Sequence, residues 1–234
     1  MKRSSRLYGG QDPRDVPAYP LTEAAHYLKM PSSTLRAWAF GQEYRTRQGK
    51  DRADSIITIA QVEPAVLSFY NLIEAHVLRA LRTEHAVSMQ NLRSAIPELR
   101  RQSSDAHPLA SETLFAGHRQ VYLEKYGQLM DLSLSSQLAL KETVRAYLAR
   151  IDWKTGFGPL RLFPFLRSQT IEAPRSVTID PEVAFGRPVI SGTRIATAEI
   201  RNRVDAGDSV EAVAEDLNQK VETVREVILF ERAA

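Results

Sequence analysis

Ser176-Val-Thr-Ile-Asp-Pro-Glu-Val-Ala-Phe-Gly-Arg-Pro-Val-Ile-Ser-Gly-Thr-Arg-Ile195 decides how the chain is read. These twenty residues hold one Asp-Pro, one Gly-Arg-Pro and one Ser-Gly-Thr-Arg. Between them stand short apolar groups: Val177 with Ile179, Val189 with Ile190, and then Ile195. Glycine supplies positive φ, proline fixes φ, and Asp and Ser side chains bond back to nearby backbone, so turn chemistry sets the path. The pattern predicts a short extended segment, a tight corner, a second short strand and an entry into a helix. A plain β-meander ahead of a helical subdomain would satisfy it equally well.

Working outward toward the C-terminus, three short helices are expected. Thr197–Ala206 runs to Gly207, a suitable residue just past a helix end. Asp208-Ser-Val-Glu211 fits a capping box, in which two carboxylates satisfy first-turn amides. Val210, Val213, Ala214 and Leu217 form the buried face of that helix, and Asn218 ends it. Val221, Val224, Val227 and Ile228 line the last helix, which reaches Phe230. The unit is helix-turn-helix-like but acidic, with Glu211, Glu215, Asp216, Glu222, Glu226 and Glu231. Phosphates would be repelled by such a face, so it reads as protein-facing or solvated.

The other end of the chain has the opposite charge. Residues 1–60 hold ten Lys/Arg and six Asp/Glu, net +4, whereas residues 171–234 hold eight and twelve, net −4. Residues 1–19, with Gly9-Gly10, Asp12-Pro13 and Val16-Pro17, read as a flexible or extended arm. Thr22 then caps a helix bearing Leu21, Ala24, Ala25 and Leu28, and Met30-Pro31 breaks it. Ser32 or Ser33 starts a second helix carrying Leu35, Trp38 and Ala39, and Gly41 ends it. Two short helices across a tight turn form a helix-turn-helix. Gln42–Asp54 follows with Arg45, Arg47, Lys50 and Arg52 around a turn at Gln48-Gly49, and Ile56–Ile59 reads as a strand. A helix pair followed by a basic hairpin is a winged helix, whose wing can track phosphates while the second helix enters the major groove. The candidate DNA-binding residues are Ser32, Ser33, Thr34 and Arg36 on that helix, with Arg45, Arg47, Lys50 and Arg52 on the wing.

Two resemblances add to this. Ile179-Asp-Pro-Glu-Val-Ala-Phe-Gly-Arg-Pro-Val-Ile-Ser-Gly-Thr-Arg-Ile195, continuing through Gly207–Leu217 to Phe230-Glu231, resembles the domain-of-unknown-function 433 family. That family includes VapB-like antitoxins, which neutralise PIN-type ribonuclease toxins. Leu21-Thr-Glu-Ala-Ala-His-Tyr-Leu-Lys-Met-Pro-Ser-Ser-Thr-Leu-Arg-Ala-Trp38 resembles the MerR-type winged helix. It departs from that pattern in having Trp38 where Tyr is usual and in lacking an acidic end to the second helix, so MerR effector chemistry does not carry over.

The middle of the chain carries no recognisable chemistry. Glu63–Glu84 has apolar residues Val66, Phe69, Tyr70, Ile73, Val77, Ala80 and Leu81 at helical spacing, with Val62-Glu63-Pro64 as its start. A second helix over Ser88–Arg101 should kink or split at Pro97. This pair suits either a dimer interface or simply a core. Short strands are expected at 113–116, 120–124 and 128–132, a helix at 136–151 and a strand at 160–166. The expected fold is α+β and mainly α: arm 1–19, winged helix 20–62, middle or dimerisation region 63–166, linker 167–175 and antitoxin domain 176–234.

The chain has 234 residues and no cysteine, which excludes disulfides, thiolate metal sites and a Cys nucleophile and fits a reducing cytoplasm. No apolar run reaches the ~18 residues a membrane helix requires. The basic N-terminus lacks the apolar core of a secretory signal. His26, His76, His85, His107 and His118 form no i,i+4 pair, and they read as surface histidines. No Walker loop, Gly-x-Ser-x-Gly or paired-acid arrangement occurs, so no catalysis, metal or cofactor is expected. The resulting expectation is an antitoxin and autorepressor, a homodimer or toxin–antitoxin hetero-oligomer, binding operator DNA and a PIN-like ribonuclease toxin. The resemblance implies an antitoxin that blocks the nuclease site sterically or places a guanidinium among its carboxylates. Arg187 and Arg194, both in the turn-rich signature, are the toxin-binding candidates, with a structural role for Arg187, bonding nearby carbonyls or pairing with Glu182, as the other reading. A stand-alone winged-helix regulator with an oligomerising or sensing C-terminal module is the alternative, and a metal-dependent nuclease is the third class.

Overall fold

In a computed structural model of the chain, residues 8–46, 49–83, 89–102, 106–111, 146–165 and 173–232 are described. The strands expected over 113–132, the helix expected over 136–151 up to residue 145, and residues 167–172 of the expected linker lie outside them. Residues 146–148 are helical.

The first strand, β1 (Tyr19–Pro20), runs directly into α1 (Leu21–Tyr27). It pairs antiparallel with β4 (Val66–Leu67), Tyr19 opposite Leu67. That pairing explains why Thr22 is not a cap. The Leu21 amide is already taken by the Ala65 carbonyl at 3.1 Å, and the helix starts two residues earlier, with Pro20 in the cap position and Thr22 inside. Likewise Pro31, not Ser32 or Ser33, caps α2 (Ser32–Phe40), its carbonyl accepting from the Thr34 and Leu35 amides. Gly41 ends α2 at φ 77, and a Cβ there would lie 2.2 Å from the Ala53 carbonyl oxygen. Only glycine fits that corner. Residues 8–19, read above as an arm, are held at several points. The Tyr8 hydroxyl donates to the Pro181 carbonyl at 2.7 Å, Arg14 is bound to Asp12, and Tyr19 is buried.

The molecule is built around α3 (Phe69–Thr83), which begins after the β4 pairing rather than at Glu63. Residues 71–78 are all buried, so α3 is surrounded rather than amphipathic. The polar side chains on this buried stretch face neighbours, not solvent. Asn71 Oδ1 accepts from the Ala60 and Ser68 amides, and its Nδ2 donates to the Thr58 carbonyl at 2.9 Å. Glu74 is 1% exposed, and His76, read above as a surface histidine, is 2% exposed. His76 Nε2 lies 3.0 Å from the Tyr147 carbonyl oxygen.

Ile56–Ile59 is not a strand. The Ile56 and Ile57 amides both bond the Trp38 carbonyl, Asn71 takes the Thr58 carbonyl, and Arg100 Nη2 takes the Ile56 carbonyl at 2.8 Å. The run is apolar because Ile56 and Ile57 plug the core, while side chains satisfy its backbone. The donating arginine belongs to α4 (Met89–Gln102), which continues through Pro97.

A hairpin of β5 (Ile151–Lys154) and β6 (Gly158–Leu162) follows. Leu162 exchanges backbone bonds with Ile179 at 2.8 and 2.9 Å, which joins this hairpin to the signature segment. Arg150 is fully buried and donates to four carbonyls, those of Phe163, Pro164, Ala173 and Pro174. In the signature, β7 (Val177–Thr178) pairs with β8 (Val189–Ile190), and α5 (Thr197–Asp205), α6 (Val210–Asp216) and α7 (Val221–Arg232) follow. The capping residue of α6 is Ser209, which accepts from the Ala212 amide at 3.1 Å. Asp208 is diverted to Arg203 at 2.7 Å instead of capping.

Two apolar clusters result. The larger runs from Tyr19 to Ile179 around α3, and the smaller gathers Val177, Ile190, Ile200, Val213, Val224, Val227 and Phe230. Tyr27 packs on both. No helix among the described residues is long and apolar enough to cross a membrane.

Candidate DNA-binding face and partner face

The hairpin after α2 consists of β2 (Gln42–Thr46) and β3 (Gly49–Ala53), antiparallel from Gln42 opposite Ala53 to Thr46 opposite Gly49. Directly opposed residues share a sheet face, and so do residues two apart on one strand. Arg45 opposes Lys50 and Glu43 opposes Arg52, so Arg45, Lys50, Arg52 and Glu43 stand on one face, with net charge +2. All four are exposed, and Lys50 meets Glu43 only loosely at 3.9 Å. The other face carries Gln42, Tyr44, Asp51 and Ala53, with the Tyr44 hydroxyl on Asp51 at 2.9 Å. That bond pushes the phenol pKa up.

The basic face is tied to the helix before it. Arg52 Nη2 lies 3.4 Å from the Phe40 carbonyl at the C-terminus of α2, and the Arg36 guanidinium sits 5.8 Å from the Phe40 ring centre. Arg36 is exposed, on the side of α2 away from buried Leu35, Trp38 and Ala39. Ser32 and Ser33 are exposed at the α2 N-terminus, and Thr34 is half-buried. The structure therefore brings Arg36 and Arg52 onto one aromatic residue and places Arg45 and Lys50 beside Arg52. Arg47 lies outside the described residues.

The C-terminal candidates separate. Arg187 and Arg194 are both exposed, and neither makes an ion pair among the described residues. Arg194 lines a shallow pocket with Arg161, Phe163, Thr178, Asp180 and Ser191. Arg161 Nε donates to Asp180 Oδ2 at 2.9 Å, and this bond pushes the guanidinium pKa up. Arg187 does not line that pocket. It lies close enough to Tyr27 to lower that phenol's pKa, although burial dominates and raises it.

The acidic surface expected on the last three helices is largely answered within the chain. Glu231 is buried and bonded by Thr197 and Arg201, Glu211 meets Arg225, Asp216 meets Arg203, and Ser176 donates to Glu226. Among the described residues no group of three or more His, Asp and Glu is placed to hold a metal ion.

Sequence reasoning missed the contact between the two ends of the chain. Phe230 of α7 stacks on Tyr27 of α1, ring centres 6.1 Å apart, and His26 sits 5.9 Å away. Lys29, in the turn of the helix-turn-helix with φ 53, donates to the Phe230 carbonyl and lies 4.2 Å from the Phe230 ring centre. Burial pushes the Lys29 ammonium down to about 8. No local signal marks this latch, because its partners are about two hundred residues apart.

Two known families match parts of the chain. Residues 17–96 match the family described as "Putative DNA-binding HTH domain", a span from β1 into α4. Residues 177–230 match "Protein of unknown function (DUF433)", a span from β7 to α7. The chain is 30% identical over 230 residues to "Putative antitoxin VapB45" of Mycobacterium tuberculosis (strain ATCC 25618 / H37Rv), covering 92% of this chain and 93% of that protein. It is 23% identical over 219 residues to "Uncharacterized protein Rv2308" of the same organism, covering 92% and 90%. The X-ray crystal structure of Rv2018 from Mycobacterium tuberculosis shares the fold, with a TM-score of 0.64 and 24% identity over 91% of this chain and 97% of that one. The chain thus belongs to the family of the antitoxin VapB45, with a helix-turn-helix domain of the DNA-binding type at its N-terminus and a DUF433 domain at its C-terminus.

Proposed function

We propose that the protein is the antitoxin of a toxin–antitoxin pair: it binds its own operator through α2 and the β2–β3 hairpin, and it inhibits a PIN-like ribonuclease through its C-terminal domain. The observation that carries the DNA half is the hairpin register, which puts Arg45, Lys50 and Arg52 on one exposed face and ties Arg52 to the end of α2. A face so placed lies along phosphates when α2 enters the major groove, with Ser32, Ser33, Thr34 and Arg36 nearest the bases. The N-terminus of α2, which has no side-chain cap, adds its own attraction for a phosphate.

The toxin half rests on the kinship with VapB45 and on two exposed arginines without ion pairs among the described residues, Arg187 and Arg194. A guanidinium among clustered carboxylates makes strong charge-assisted bonds and would displace the metal such a nuclease requires. The test mixes the full chain with the purified ribonuclease encoded beside its gene and follows RNA cleavage together with binding to the DNA upstream of that gene. Stoichiometric inhibition with retained DNA binding is expected. DNA binding without inhibition would favour a stand-alone regulator.

A further inference from the structure

The signature segment has a feature that neither strand pairing nor core packing explains. Ala184 and Phe185 are consecutive residues in the left-handed region, at φ 50 and 57. A side chain is disfavoured in that conformation, and for a bulky aromatic it is a true outlier. Glycine, which adopts it freely, stands one position later at Gly186. Gly186 is buried against Tyr19, where a Cβ would meet the hydroxyl at 2.4 Å. The strained turn therefore presses Gly186 inward and turns Phe185 outward, 67% exposed.

The platform beneath Phe185 is fixed from several directions. Asp180 accepts from the Glu182 amide at 2.8 Å through its side chain and from the Val183 amide at 2.9 Å through its carbonyl. The Asp180 carboxylate is also gripped by Arg161, and the Pro181 carbonyl accepts from Tyr8. The Gly186 and Arg187 amides bond back to Val183 and Ala184. Among the described residues Phe185 has neither a ring partner nor a cation partner, whereas Phe157, 41% exposed, has the Lys154 ammonium 4.5 Å from its ring centre. Two residues beyond Phe185 is Arg187, exposed and without an ion pair among the described residues.

We propose that Phe185 is the apolar anchor of the interface with the ribonuclease, seated in an apolar socket beside nuclease carboxylates that receive Arg187. This rests on the toxin-binding reading above and names the residue that dominates its affinity. Aromatic and arginine side chains held rigidly before binding are those that carry most of an interface's energy, since little order remains to be imposed. The charge of Arg187 favours an acidic partner over a second basic surface, and the net charge of −4 over residues 171–234 disfavours DNA at this end of the chain.

The experiment measures affinity of the full-length chain for the purified neighbouring ribonuclease, for wild type, Phe185→Ala, Phe185→Trp, Arg187→Ala and Phe157→Ala, with thermal melts and upstream-DNA binding of each. Phe185→Ala and Arg187→Ala are expected to weaken nuclease binding tenfold or more with Tm and DNA affinity unchanged. Phe185→Trp and Phe157→Ala should stay within a few-fold of wild type. If wild type binds and Phe185→Ala binds equally well, the anchor is overturned while the toxin reading stands. If wild type itself does not bind the nuclease, both are overturned.

Discussion

His76 sits where a charge cannot be accommodated. It is enclosed by Tyr147 and Phe165, and burial pushes its pKa down to about 3, with Arg79 and Arg150 acting in the same direction. A folded pKa below the ordinary value near 6.5 means that the unfolded chain takes up a proton the native state refuses. Its contribution is fully present above pH 6.5 and is lost as pH falls toward 3, at up to about 1.4 kcal/mol per pH unit. His76→Gln keeps a donor for the Tyr147 carbonyl, so its denaturant midpoint should fall less steeply than wild type between pH 6.5 and 4.5. Equal slopes would contradict the burial argument. Gly186 supplies a second residue-scale expectation. Gly186→Ala strains the backbone and meets the Tyr19 hydroxyl, so a loss of about 1–3 kcal/mol is expected in chemical denaturation. Tyr19→Phe, which removes a buried hydroxyl with no partner among the described residues, should recover part of it.

At the scale of elements, sequence reasoning holds where local chemistry is decisive. Met30-Pro31 and Gly41 bound α2, the glycines and prolines of 176–195 bring β7 and β8 together, and Gly207 and Asn218 end α5 and α6. It fails where distant residues intervene. Ile56–Ile59 is apolar and β-branched, but Trp38, Asn71 and Arg100 take its backbone, so no strand forms. The α3 stripe predicts one buried face because nothing local tells that the opposite face, with Asn71, Glu74 and His76, is also covered. The basic residues of the hairpin are visible in the sequence, but their shared face follows from the register and their link to α2 from Arg52 and Phe40. Phe185 is invisible because its exposure depends on Tyr19, far away in sequence. The Lys29 latch is likewise a property of two elements. Lys29→Asn keeps a residue that tolerates the left-handed turn while removing the bond to Phe230, and a stability loss of about 1–2 kcal/mol is expected. Unchanged stability would mean that α7 does not hold the helix-turn-helix.

Across the whole molecule, the two ends share load-carrying contacts. Ile179 of the signature belongs to the larger core and pairs with Leu162, Arg150 binds the chain just before β7, and Phe230 packs on α1. Such continuity predicts one cooperative unfolding transition, with far-UV circular dichroism and tryptophan fluorescence coincident. Trp38 and Trp153 report on the N-terminal and middle parts, so a C-terminal domain melting alone would separate the two probes.

The claim that the β2–β3 hairpin lies on DNA is tested most directly by the salt dependence of binding to the DNA upstream of the gene. Each phosphate contact contributes about −0.9 to the slope of log affinity against log salt. Replacing Arg45, Lys50 and Arg52 together with glutamine is expected to reduce the slope by nearly three such contacts and to weaken binding at every sequence. A triple variant that stays folded and keeps the wild-type slope would contradict the account and place the DNA elsewhere on the protein.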